Sequence, residues 1–161
     1  MSENKKLEKK LDPKVIQRRL EFILDEARSE NPTRDMAITY AMRVISAYVS
    51  VGRDFGARGI KKKSKRMSRR AQELRKRVPE AEWLKNVVNE HQEPLKQVWE
   101  WIVKEAESLS PEKVLDRFKQ WPMVTVTKDE DILLRKFANL DPATRYNKVG
   151  IEVLTADAKA D

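Results

Sequence analysis

The chain has 161 residues, no cysteine and a single histidine, with 34 Lys and Arg against 26 Asp and Glu for a net charge of +8. Those counts exclude disulfides, thiolate chemistry, Cys/His zinc sites and any site that needs two imidazoles from one chain. Charged residues make up 37% of the sequence, well above the roughly 25% of an ordinary soluble protein, and the length suits one domain that buries about 70% of its unfolded surface.

The opening run MSENKKLEKKL has no apolar stretch, so residues 1–11 read as a charged tail and not as a secretory signal. Asp12-Pro13 starts a first helix, with Asp as N-cap and Pro in the first helical position. Ile16, Leu20, Ile23, Leu24 and Ala27 then form a core-facing stripe. Asn31-Pro32-Thr33 breaks that helix and begins a second, whose buried face holds Ala37, Ile38, Ala41, Val44, Ile45 and Tyr48 and which ends at Gly52. The two are expected to pair antiparallel across a short turn. The most apolar run, Val44 to Val51, is far shorter than the roughly 20 residues that cross a bilayer. The sequence therefore suggests a protein of the cytoplasm, nucleoid or nucleus that is neither secreted nor membrane-bound.

Pro79 punctuates the middle of the chain. Trp83, Leu84, Val87 and Val88 open a further stripe that resumes at Leu95, Val98, Trp99, Ile102 and Ala106, with Pro94 kinking or restarting the helix between them. Ser110-Pro111 starts the next helix, carrying Val114, Leu115 and Phe118, and Trp121-Pro122 ends it. Val124 to Thr127 alternates as a short strand does. Thr127 and Glu130 form a capping box for a helix with Ile132, Leu133, Leu134 and Phe137. Asp141-Pro142 begins a brief helical turn closed by Gly150, and Ile151 to Leu154 reads as a second strand pairing with the first. Residues 155–161 read as a frayed tail. The expected fold is mainly α: a multi-helix, bundle-like domain over residues 12–154, with a protruding basic helix and a short two-stranded β-ribbon near the C-terminus.

Positive charge is concentrated in one place. Residues 53–78, RDFGARGIKKKSKRMSRRAQELRKRV, hold twelve Lys and Arg against Asp54 and Glu73, while the rest of the chain holds 22 basic and 24 acidic residues. Ile60, Met67, Ala71, Leu74 and Val78 recur at helical spacing within it, predicting one amphipathic helix with a narrow apolar stripe. Gly52, Gly56 and Gly59 lead in. Arg58, Lys61, Lys62, Lys63, Lys65, Arg66, Arg69, Arg70, Arg75, Lys76 and Arg77 are the candidate phosphate contacts, because a dense cationic face is the footprint of a polyanion binder. The bland alternative is a solvated face or a disordered basic loop. A membrane surface fits less well, since the stripe lacks Trp, Phe and tandem Leu.

Catalytic motifs are absent. GRDFGARG lacks the Lys-Ser/Thr ending of a phosphate loop and follows no strand. Asp129-Glu130-Asp131 sits where a helix dipole favours acids, so capping outweighs Mg²⁺ binding. His91 continues an apolar stripe and reads as a packed side chain; its functional version is a metal-independent nuclease with Glu90 or Glu93 as partner. Trp99 and Trp101 lie about 200° apart on a helix, and a neighbouring helix is expected to cover Trp101. No tryptophan interleaves with the basic run, which argues against base stacking. The leading expectation is a largely sequence-nonspecific DNA- or RNA-binding protein with no cofactor and no metal, and the small metal-independent nuclease centred on His91 stands third. The runner-up is an interaction module, such as an adaptor, ribonucleoprotein subunit or inhibitor, that lays its basic arm on an acidic protein.

Overall fold

The computed structural model describes residues 9–10, 12–54 and 56–155, with side chains described at 12–52 and 59–155. The expected tails therefore lie almost wholly outside the described residues. The elements are β1 (Lys9–Lys10), α1 (Pro13–Ala27), α2 (Met36–Val51), β2 (Arg53–Asp54), α3 (Gly56–Lys63), β3 (Arg66–Ser68), α4 (Arg69–Arg77), α5 (Glu80–Asn86), β4 (Val87–Glu90), α6 (Leu95–Glu105), α7 (Pro111–Gln120), β5 (Val124–Thr127), α8 (Lys128–Arg135), α9 (Pro142–Val149) and β6 (Val153–Thr155), with a 3₁₀ turn at Ala106–Ser108. The chain is mostly helical, with a small four-stranded mixed sheet and a two-stranded β1–β2 pair.

Local chemistry sets most helix ends. Asp12 accepts from the Lys14 N–H at 2.8 Å, and Pro13 sits in the first turn of α1. Asp35, not the Asn31-Pro32-Thr33 turn, caps α2 by accepting from the Ile38 N–H at 2.9 Å. Ser110 caps α7 and Asp141 caps α9. The Thr127–Glu130 capping box of α8 is present in both directions. Gly52 and Gly150 close α2 and α9 at φ 73° and 75°, in the left-handed region that glycine occupies without steric cost.

Three apolar clusters hold these elements. The largest joins α1, α2, α6 and α7 through Ile16, Leu20, Ile23, Leu24, Ile38, Ile45, Ile102 and Val114. The α1 stripe is buried as expected, whereas Ala37 of α2 faces solvent. The second cluster centres on fully buried Trp83, with Met67, Ala71, Leu84 and Val87. The third joins β5, α8 and α9 through Val124, Val126, Leu134 and Tyr146.

Two expectations are corrected by the sheet. Its order is β4-β5-β3-β6: β5 does not pair with β6 but lies between β4 and β3, and β6 runs antiparallel to β3. Val87 and Val88 belong to strand β4 rather than a helix, paired with Thr127 and Val126, as β-branched residues in a half-buried ladder should be. More consequentially, the basic segment is not one protruding helix. It is helix, strand, helix, and the strand is an interior one of the sheet.

The reason lies at Met67 and Ser68, both buried. Ser68 Oγ donates to Glu130 Oε1 at 2.6 Å and accepts from the Ala71 N–H at 3.1 Å. A serine that competes for backbone donors is better used as a cap than inside a helix. An uninterrupted helix would also stack like charges at i, i+4 over its length. Breaking it places Met67 in the Trp83 cluster and gives β3 hydrogen-bonding partners on both edges.

Candidate nucleic-acid interface

The basic segment packs at both ends. From α3, Lys61 Nζ donates to the Leu84 carbonyl at 3.0 Å. On α4, Ala71, Leu74 and Val78 turn inward. Arg75 lies over the Trp83 ring at 4.4 Å, and the Trp83 indole N–H donates to the Ala71 carbonyl at 2.9 Å. With that face fixed inward, Arg69, Arg70, Glu73, Lys76 and Arg77 all point to solvent. They recur every three to four residues, so they form one outer ridge about 12 Å long. Glu80 pairs with Lys62 at 3.8 Å and with Arg75 at 4.0 Å, which sets the last turn of α3 beside the last turn of α4. Both turns are basic, Lys61–Lys63 and Arg75–Arg77, where cations suit the negative ends of helix dipoles.

The eleven candidate contacts separate into three groups. Arg66 is structural: it donates to the Pro122 carbonyl and to Gln92 Oε1, each at 2.7 Å, and burial lowers its pKa. Lys61, Lys62, Arg69 and Arg75 are engaged. Arg69 makes a two-pronged ion pair with Glu152 at 2.7 and 2.8 Å, which raises the arginine pKa and lowers that of the carboxylate. Lys63, Lys65, Arg70, Lys76 and Arg77 are exposed and have no acidic partner among the described residues. The side chain of Arg58 lies outside the described ones.

A groove of about 490 Å³ runs beside the ridge, between α4, α5 and the start of α8. Arg70, Arg77 and Lys128 line it together with Glu73, Glu82 and Asp129. The lining charges balance, three cations against three acids. Lys128 is a neighbouring cation that a linear reading of residues 53–78 misses, because only the sheet brings α8 next to α4.

Glu90 ends β4, His91 and Glu93 sit in the link from it to α6, and three arginines clamp this stretch. Arg145 Nη1 donates to Glu90 Oε1 at 3.2 Å and to the carbonyls of His91 and Gln92 at 3.2 and 2.7 Å. Arg117 holds Glu93 through two bonds of 2.8 and 2.7 Å while its guanidinium lies 4.7 Å over Trp101. Arg66 takes Gln92. Trp101 is half-buried, covered by Arg117 as well as by its packing on the helical cluster. The carboxylates that would partner a histidine base are thus committed to arginines. The His91 pKa is pushed down to about 4, first by burial and then by Arg43, so its ring is neutral; its Nε2 is buried with no hydrogen-bond partner. Burial raises Glu90 to about 7 despite Arg145, and Tyr146, which donates to Glu90 Oε1 at 3.1 Å, is raised as well.

Among the described residues no group of three or more His, Asp or Glu is placed to hold a metal, and no helix is long and apolar enough to cross a membrane. Asp129, Glu130 and Asp131 occupy the first turn of α8, with Glu130 spent on the capping box and Asp131 on Arg135. No protein-family model, no curated protein and no solved structure matches the chain.

Proposed function

We propose that the protein binds nucleic acid through its phosphate backbone, with little base specificity, using Arg70, Lys76 and Arg77 of the α4 ridge together with Lys63 and Lys65, which precede it in the chain. The observation that supports this reading most is that these five cations are exposed with no acidic partner among the described residues, while Lys61, Lys62, Arg66, Arg69 and Arg75 are tied to acids, carbonyls or an aromatic ring. Cations meeting phosphates fix position and affinity but read no sequence. The ridge carries no aromatic side chain and no Asn, so it has few means of telling one base from another.

The test is a charge reversal that spares the fold. Lys63→Glu, Arg70→Glu and Arg77→Glu combined should weaken duplex binding at least about tenfold at about 100 mM salt and flatten the salt dependence by about three phosphate contacts. Arg66 is left intact because its removal would unpair Gln92 and the Pro122 carbonyl. Unchanged affinity in the well-folded triple variant would sink the proposal.

A further inference from the structure

Immediately upstream of the basic segment, α1 and α2 present a second cationic surface of different make-up. Their inner faces are spent on the helical cluster, and among the described residues nothing packs on their outer flank. Met36 is 89% exposed, Tyr40 53% and Phe22 43%. Met36 and Tyr40, one helical turn apart, line an open groove of about 500 Å³ with Arg34, Asp35, Thr39 and Arg43. Asp35 spends a carboxylate oxygen capping α2. Arg34 and Arg43 lie towards the two ends of the groove, exposed and without an acidic partner among the described residues. From α1, Arg19 lies 5.3 Å over the Tyr40 ring, and Phe22 follows it by one turn.

The composition separates this surface from the ridge. The ridge is lysine and arginine with one glutamate, Glu73, and without apolar side chains. The α1–α2 groove is lined by Tyr, Met and two Arg with Thr39 and Asp35 and without lysine, and Tyr, Met and Arg are types enriched where protein partners meet. Arg19 covers one face of the Tyr40 ring, and no second aromatic side chain lines the groove to sandwich a nucleobase. We propose that this groove docks a protein segment of acidic, amphipathic character. An apolar side chain of that segment sits on Met36 and Tyr40, and its carboxylates meet Arg34 and Arg43. Charge complementarity carries the choice of partner: two unpaired guanidiniums flank an apolar floor, and a guanidinium fork matches a carboxylate.

The experiment uses a fluorescein-labelled amphipathic peptide of leucine, alanine and glutamate, and a counterpart with lysine for every glutamate. By fluorescence anisotropy the acidic peptide should bind saturably and at least about tenfold more tightly than the basic one. Met36→Ala with Tyr40→Ala should weaken it about tenfold. Arg34→Glu with Arg43→Glu should reverse the preference between peptides. The ridge variant Lys63→Glu/Arg70→Glu/Arg77→Glu should bind the acidic peptide within about twofold of wild type. All these positions are exposed, and circular dichroism checks the fold. Failure of the acidic peptide to bind overturns the proposal, as does binding that the ridge variant alone abolishes. Displacement of the peptide by a single-stranded oligonucleotide that still acts on the ridge variant would overturn it too, as would sedimentation showing that a second copy of the chain fills the groove.

Discussion

Glu90→Gln and His91→Phe probe the link between β4 and α6 from opposite directions. Burial raises Glu90 from 4.5 to about 7. Between those values the folded protein keeps a proton that the unfolded chain releases, so stability falls as pH rises through the window. The difference of about 2.5 units corresponds to about 3 kcal/mol. His91 is lowered from 6.5 to about 4. Between 4 and 6.5 the unfolded chain takes a proton that the folded protein refuses, so this contribution rises with pH, by about 3 kcal/mol. In the wild type the two slopes oppose each other over most of the range, and each substitution exposes the other. Relative to wild type, Glu90→Gln should gain about 3 kcal/mol between pH 4.5 and 8, because Gln still accepts from Tyr146 without a charge to desolvate. His91→Phe should instead lose about 3 kcal/mol relative to wild type between pH 4 and 7. Urea denaturation followed by tryptophan fluorescence at each pH gives these differences, and about 3 kcal/mol amounts to a midpoint shift of about 6–12 °C by thermal melting. If the Glu90→Gln difference stays constant from pH 4.5 to 8, the carboxylate is ionised throughout, Arg145 outweighs its desolvation, and the reasoning fails.

Other substitutions separate structural from surface arginines and test the sheet. Arg66→Met should cost about 2–3 kcal/mol by leaving Gln92 and a carbonyl unpaired, whereas Arg70→Met should stay within about 0.5 kcal/mol; chemical denaturation distinguishes them. Ser68→Ala removes the α4 cap and leaves buried Glu130 without one donor, and should cost about 2 kcal/mol by the same measurement. Trp83→Phe deletes the indole bond to the Ala71 carbonyl and weakens the stacking of Arg75, for about 2 kcal/mol seen in thermal melts. Gly52→Ala should cost about 1 kcal/mol through its positive φ alone, since nothing lies within 4 Å of the added methyl position.

Much of the helical framework was legible because caps and stripes are local. Asp12-Pro13, Ser110-Pro111, Thr127 with Glu130, and Gly52 and Gly150 announce their ends within a turn, and Ile16 to Ala27 shows its buried face by period alone. Of the sheet, β5 and part of β6 were legible in Val124 to Thr127 and Ile151 to Leu154, but not their pairing, nor strands β3 and β4. β3 is three residues inside a basic run, and its Met67 falls by coincidence on the helical spacing of Ala71 and Leu74. What makes it a strand is pairing with β5 and β6, more than fifty residues away in sequence. The candidate site divides the same way. The charge density of residues 53–78 is visible in composition. Which cations remain unpaired depends on Glu80, Glu152 and Gln92, and only the fold brings those to the segment. The arginine clamps on Glu90 and Glu93 were equally hidden, because Arg145 and Arg117 lie in other helices. Met36 and Tyr40 gave no local sign of exposure within an otherwise apolar helix.

The central claim is a phosphate-backbone contact made by five cations, and its most direct test is a salt titration of binding by fluorescence anisotropy, with duplex DNA, single-stranded DNA and duplex RNA side by side. The ridge predicts a log–log slope near −4 to −5 on duplex DNA and a shallower one on single strands. No binding to any of the three at about 50 mM salt, where phosphate contacts are strong, would contradict it.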